Sequence, residues 1–201
     1  MKWMRSWASG RAGQCAILYR VANDLPVSPH SLSPGIYDSP NEAVATAELF
    51  EAYNKDGLSA ANDDAFTAMA RERAHRNPVR EYILLPLERA FALWEPVPEY
   101  DLPVRSRLLG LPALRSFYDA VDLSFYGLCI VGVIVAWRRN QGATLTLVAA
   151  IVGRTVIVSA AHPCPTQRYV VEAFPAILVF ASIAIDATYR ALGESGVVRE
   201  R

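Results

Sequence analysis

Three long apolar segments follow one another in the second half of the chain. They cover about residues 118–137, 142–161 and 168–187, and each approaches the roughly 20 residues that a helix needs to cross a bilayer. The first ends in a Trp-Arg-Arg triplet at 137–139, a pattern typical of a membrane boundary. A soluble all-α protein with three buried helices is the alternative, but three such segments in succession favour transmembrane helices in contact with a lipid bilayer.

The region before these segments, residues 1–117, is also predicted to be helical, so the whole chain is expected to be all-α. The run Ser-Pro-Asn-Glu at 39–42 favours a helix start, because Ser caps the free N–H groups and Glu closes a capping box. A further helix is expected to begin near Asn62. The first 36 residues are rich in turn-forming residues and are expected to be mostly irregular.

An amphipathic helix is predicted at about residues 78–95. Its apolar side chains recur at helical spacing and comprise Ile83, Leu84, Leu87, Phe91 and Trp94. Pro86 lies inside this pattern and is expected to kink the helix, because proline has no N–H group to donate. A helix packed on a small domain and a helix lying in the membrane interface both fit, and the sequence leaves the two open.

The arginines around the short loops predict the orientation. The first inter-span loop and the C-terminal tail carry Arg, whereas the loop at 162–167 has neither Lys nor Arg. The positive-inside rule then predicts a cytoplasmic C-terminus, with residues 1–117 and 162–167 outside an inner or plasma membrane. The first 20 residues lack the apolar core of a signal peptide, so the chain is expected to begin within a longer protein.

Charge and cysteine content exclude several classes of protein. Lys+Arg and Asp+Glu both total 20, so no net positive charge attracts nucleic acid, and nucleic acid is not an expected partner. Cys15, Cys129 and Cys164 have no paired spacing, which argues against a disulfide scaffold and against a zinc cluster. His162 and Cys164 supply two ligands where a metal needs three or four, so no metal site is predicted.

Charged residues inside the apolar segments are the candidate functional residues, since burying them in a bilayer is costly. Arg154 lies in the second span, and Arg168 and Glu172 lie one helical turn apart in the third. In one interpretation these residues only form ion pairs that hold the helices. In the other, their guanidinium groups bind the phosphate of a lipid-linked substrate by paired hydrogen bonds.

Several short motifs occur together in this order. Residues 168–175 read Arg-Tyr-Val-Val-Glu-Ala-Phe-Pro, and Arg-Thr stands at 154–155. Upstream, 70–78 reads Ala-Arg-Glu-Arg-Ala-His-Arg-Asn-Pro, 85–89 reads Leu-Pro-Leu-Glu-Arg, and Trp3 and Trp7 precede them. This arrangement resembles the C-terminal part of bacterial membrane glycosyltransferases of the GT-C type, the superfamily of protein O-mannosyltransferases and aminoarabinose transferases (glycosyltransferase family 39 and its relatives).

The resemblance implies an enzyme that takes a sugar from a polyprenyl-phosphate carrier on the outer face of the membrane. It implies that the carrier-phosphate region is lined by Arg168, Tyr169, Glu172 and Arg154. The family's catalytic acidic residue lies many spans upstream, so no catalytic residue and no cofactor are expected here. The chain is therefore expected to be a C-terminal fragment that needs the missing N-terminal transmembrane part. The family often has Glu where this chain has Thr166.

A second class of function stays open. The chain also fits a non-catalytic membrane-anchored protein whose outer helical domain binds a partner. A small soluble hydrolase lacks support, because neither a G-x-S-x-G nor an H-E-x-x-H motif is present.

Overall fold

The computed structural model describes residues 2–9, 12–28, 36–94, 112–164 and 169–197. Every regular element in these ranges is a helix, which confirms the predicted all-α fold. The chain divides into two compact units. The first, called the N-terminal unit, comprises Met1–Tyr100 with Val158–Pro165, and the second, called the span unit, comprises Asp101–Ile157 with Thr166–Arg201.

The N-terminal unit is built from five α-helices and one π-helical turn within the described ranges. These are α1 (Lys2–Arg5), α2 (Ala12–Ala22), α3 (Pro40–Asp56), α4 (Ala60–Arg76), the π-helical turn Arg80–Leu84 and α5 (Leu85–Trp94). The first 36 residues were predicted to be mostly irregular, and this prediction missed the two helices α1 and α2. Both helices carry residues of the hydrophobic core, and this burial outweighs the turn-rich composition.

The ends of α3 and α4 follow local capping rules. Ser39 Oγ accepts a hydrogen bond from the Glu42 N–H, which confirms the predicted start of α3. Gly57 ends this helix with a φ of 68°, a backbone conformation that residues with a Cβ atom rarely adopt. The predicted start of α4 near Asn62 is slightly late, because Ser59 caps the helix instead and accepts from the Asn62 N–H.

An aromatic cluster forms the centre of the N-terminal unit. The Trp3 and Trp7 rings are tilted by 59° to each other with their centroids 5.0 Å apart, and the ring centroids of Phe50 and Phe66 lie 5.5 Å and 5.3 Å from that of Trp3. All four side chains are buried. Tryptophan and phenylalanine bury large apolar surfaces, so this cluster fastens α1 onto α3 and α4.

The segment before α5 accommodates a proline through a π-helical turn. Arg80–Leu84 is a π-helical turn, in which backbone hydrogen bonds join residues five apart instead of four. The Leu85 N–H group donates to the Arg80 carbonyl oxygen in this way. Pro86 follows directly in the first turn of α5. A proline ring would clash with the carbonyl four residues earlier in a regular helix, so the wider π-turn relieves this contact.

The span unit holds most of the three long apolar helices. These are α6 (Pro112–Arg139), α7 (Gln141–Ala161) and, after a 3₁₀ turn at Val171–Ala173, α8 (Phe174–Val197). Their segments Asp119–Arg139, Gln141–Ala161 and Val171–Gly193 are long and apolar enough to cross a membrane, and they fit an integral membrane protein. Only 11%, 17% and 28% of their apolar windows are buried, so most of their side chains face outward, as lipid-facing side chains do.

Helices α6 and α8 pack closely against each other. At Gly132 the two backbones approach so closely that a Cβ would overlap the carbonyl group of Phe180. Gly132 is buried, and so are Ala181 and Ala184 on the facing helix. Small residues of this kind let transmembrane helices gain van der Waals contact along their backbones.

Candidate functional site

The candidate site is a charged cluster within the span unit. Arg154 lies on α7, and its Nη2 atom is 2.7 Å from Oε2 of Glu172 in the 3₁₀ turn before α8. The Arg154 side chain is 31% exposed and that of Glu172 is 64% exposed. This pair therefore lies at an accessible surface rather than in a sealed interior, and a polar ligand could reach it.

The aromatic ring of Tyr169 completes this cluster. The Arg154 guanidinium carbon lies over the ring, 5.9 Å from its centroid, within the range of a cation–π interaction. The ring holds the planar group by its face, while Glu172 fixes one of its terminal nitrogens. Arg154 is thus oriented from two sides.

The Nε–H group of Arg154 is the next feature of this cluster. Its Nε atom is buried and has no hydrogen-bond partner among the residues that the structure describes. A buried N–H group without an acceptor costs free energy. The guanidinium group is also a planar fork that suits two oxygens of a phosphate or carboxylate. An anionic oxygen at this position would satisfy the free donor.

The predicted site residues are partly assembled. Arg154, Tyr169 and Glu172 come together, although they lie on two different helical segments. Arg168, the fourth predicted residue, lies outside the described residues. The interpretation of Arg154 and Glu172 as a purely structural ion pair also fits the 2.7 Å distance, so the two interpretations differ in what the free Nε donor is for.

A second charged cluster, in the N-terminal unit, was not predicted. Arg73 is 3% exposed, and its Nη2 atom donates to Ile36 O at 2.6 Å and to Asp38 Oδ1 at 2.9 Å. Its Nη1 atom lies 2.9 Å from the buried carboxylate of Glu42, and Arg80 donates to Asp38 at 2.7 Å. This network joins the start of α3 to α4 and to the π-helical turn, which is a structural role.

The pKa of Asp38 reflects this network. Burial alone would raise the pKa, but the charges and hydrogen bonds of Arg73 and Arg80 outweigh it and lower the pKa below its ordinary value. Asp38 is therefore ionised at neutral pH.

A third cluster centres on Arg89, which is 2% exposed. Its donors point to backbone carbonyl oxygens: Ala8 O at 2.8 Å from Nε, Ser159 O at 3.4 Å from Nη1, and Arg5 O from Nη2. Burial lowers its pKa to about 10, so it stays protonated at neutral pH. Amphipathic periodicity could not reveal Arg89, because a charged residue on a helix normally marks the solvent face.

The cysteines contradict the expectation drawn from their spacing. Cys15 and Cys164 form a disulfide, with their Cα atoms 5.5 Å apart, although 149 residues separate them in the chain. Cys129 is free. Sequence spacing reveals only local pairs, whereas this pair is created by the fold, which brings α2 beside the segment after α7.

The disulfide also bears on metal binding at His162 and Cys164. A cysteine ligates metal as a thiolate, and the sulfur of Cys164 is already bonded to Cys15. Among the described residues, no group of three or more His, Cys, Asp or Glu side chains is placed to hold a metal ion.

Comparison of the chain with models of protein families, with curated proteins and with solved structures found no match.

Proposed function

We propose that the chain is part of an integral-membrane glycosyltransferase whose sugar donor is linked to a polyprenyl phosphate. In this proposal Arg154, Tyr169 and Glu172, together with Arg168, form the region that binds the carrier phosphate. The motif resemblance supports the class of enzyme. The observation that carries the site is the Nε donor of Arg154, which is buried and lacks a partner among the described residues.

The chemistry of Arg154 suits a lipid-borne phosphate. Its guanidinium group is permanently charged and is oriented by the Tyr169 ring and by Glu172. A phosphate oxygen would accept from Nε, while the 2.7 Å ion pair keeps the fork in position. Glu172 acts as a positioning residue, because its carboxylate repels a phosphate and would not contact it directly.

The disulfide supports the proposed orientation. Structural disulfides form in oxidising compartments and are rare in the cytosol. The Cys15–Cys164 bond therefore favours an extracytoplasmic location for both cysteines. We place the N-terminal unit and residues 162–167 outside an inner or plasma membrane and the C-terminus in the cytoplasm. The arginines at the first inter-span loop and the C-terminal tail favour the same orientation.

Binding of the carrier lipid tests this function. The detergent-solubilised chain is titrated with a polyprenyl phosphate and, separately, with the matching polyprenol, and the complexes are counted by native mass spectrometry. The proposal expects the phosphate to bind at least about tenfold more tightly, a difference of about 1.4 kcal/mol. Arg154→Gln should abolish this preference.

The control is Arg190→Gln, since Arg190 is exposed on α8 and pairs with Asp186 within its own helix. This variant should bind the phosphate as the wild-type protein does. Equal binding of the alcohol and the phosphate, or unchanged binding by Arg154→Gln, would overturn the proposal and favour a non-catalytic membrane anchor.

A further inference from the structure

Helix α5 and the turn before it carry an apolar stripe that faces away from the core. The stripe consists of Ile83, Leu84, Leu87 and Phe91, whose exposed fractions are 53%, 48%, 51% and 76%. On the surfaces of soluble proteins such side chains usually occur singly, whereas here four of them line one face between residues 83 and 91. The stripe therefore needs a partner that accepts apolar groups.

The opposite face of α5 fixes where the helix lies. Leu85, Arg89 and Leu93 are buried in the N-terminal unit. Arg89 donates to Ser159 O in the last turn of α7, and Arg5 donates to the neighbouring Ala160 O at 3.0 Å. Both guanidinium groups satisfy carbonyl oxygens that have no partner at a helix C-terminus, where positive charge is also favoured.

The length of α7 suits a helix that ends at the edge of a bilayer. With 21 residues, α7 is about 30 Å long, which matches the hydrocarbon thickness that a transmembrane helix must cross. Its last turn then lies at the boundary between acyl chains and headgroups. Because one arginine side chain bridges this turn and α5, α5 lies at the same depth.

We propose that the stripe of α5 inserts into the lipid bilayer at the membrane surface where α7 ends. Apolar helix faces of this kind enter the boundary between headgroups and acyl chains by about 5–10 Å. The inference is independent of the sugar donor and of Arg154, and it holds for a glycosyltransferase and for a membrane anchor alike.

Lipid and water accessibility of Phe91 tests the proposal. Cys129→Ala removes the free thiol, and Phe91→Cys then introduces a single site for an environment-sensitive fluorophore. The full chain is reconstituted, without reductant, in vesicles of phosphatidylcholine and phosphatidylglycerol. The proposal expects emission at short wavelength, strong quenching by a phosphatidylcholine that carries a nitroxide near its headgroup, and weak quenching by aqueous iodide.

Two further variants make the result interpretable. Glu51→Cys places the same fluorophore on an exposed polar position of α3, where iodide should quench it. Leu87→Cys repeats the measurement within the stripe and should behave as position 91 does. The proposal is overturned if iodide quenches positions 87 and 91 as strongly as position 51. Protection from both quenchers would also overturn it, because the stripe would then be covered by protein.

Discussion

The Nε atom of Arg89 donates a hydrogen bond to the carbonyl oxygen of Ala8 at 2.8 Å, across 81 residues of sequence. The same guanidinium group reaches Arg5 O and Ser159 O, so one buried cation connects the N-terminal segment, α5 and the last turn of α7. A buried charge is tolerated when hydrogen bonds surround it, and here the guanidinium group donates to three backbone carbonyl oxygens. Arg89 therefore holds the N-terminal unit together.

Replacing Arg89 should weaken the N-terminal unit. Arg89→Met keeps an unbranched side chain but leaves three backbone carbonyl groups without their donor, and we expect a loss of about 3 kcal/mol. Limited proteolysis of the solubilised protein should then cut the N-terminal unit much faster than in the wild type. Arg71→Met is the control, because Arg71 is exposed on α4. Equal proteolysis rates for Arg89→Met and the control would show that the three hydrogen bonds stabilise little.

The disulfide predicts how many thiols react. The chain has three cysteines, of which Cys15 and Cys164 are bonded to each other and Cys129 is free. After denaturation, a maleimide coupled to polyethylene glycol should therefore add once without reductant and three times after reduction. Protein recovered from membranes that already adds three labels without reduction would contradict the disulfide and the oxidising compartment inferred from it.

Close packing of α6 and α8 should depend on Gly132. Any side chain there meets the backbone of Phe180, so Gly132→Leu must force the helices apart. We expect a lower melting temperature in detergent, corresponding to a loss of about 1–3 kcal/mol. Gly127→Leu is the matched control on the same helix, because nothing lies within 4 Å of a Cβ at position 127. If both substitutions have the same effect, the close approach does not stabilise the pair.

Acid should destabilise the N-terminal unit through Asp38. Its pKa in the folded protein is below the ordinary value of 3.8, so the unfolded chain binds the proton more readily. The stability from its ion pairs is present above pH 3.8 and is lost as the pH falls through the lowered pKa.

The melting temperature as a function of pH measures this effect. Asp38→Asn should lower the melting temperature at neutral pH and flatten its fall in acid. Asp56→Asn, at an exposed position near the end of α3, should leave the wild-type curve unchanged. If the melting temperature of Asp38→Asn falls in acid as steeply as that of the wild type, the acid sensitivity comes from other groups.

Local signals in the sequence predicted much of the fold. The Ser39 cap and the three apolar helices depend on neighbouring residues, and such patterns can be recognised one segment at a time. The disulfide, the Arg73 network and the burial of Arg89 depend on partners dozens of residues away. No periodicity encodes these contacts, which is why the cysteines were misjudged and α1 and α2 were missed.

The sequence predicted which charged residues form the candidate site, but it did not predict the geometry of their contacts. A charged residue in an apolar span is a readable signal, and it singled out Arg154 and Glu172. The sequence could not reveal that Tyr169 lies beneath the guanidinium group, or that Nε has no partner among the described residues. These features arise from how α7 and the 3₁₀ turn before α8 meet.

A charge swap between Arg154 and Glu172 tests the proposed function most directly, because it separates an ion pair that only supports the fold from an arginine that binds phosphate. The variant Arg154→Glu/Glu172→Arg keeps both charges but moves the guanidinium group away from its place over the Tyr169 ring. Our account predicts a melting temperature near that of the wild type, together with loss of the preference for polyprenyl phosphate over polyprenol. A swapped protein that still prefers the phosphate as the wild type does would contradict it.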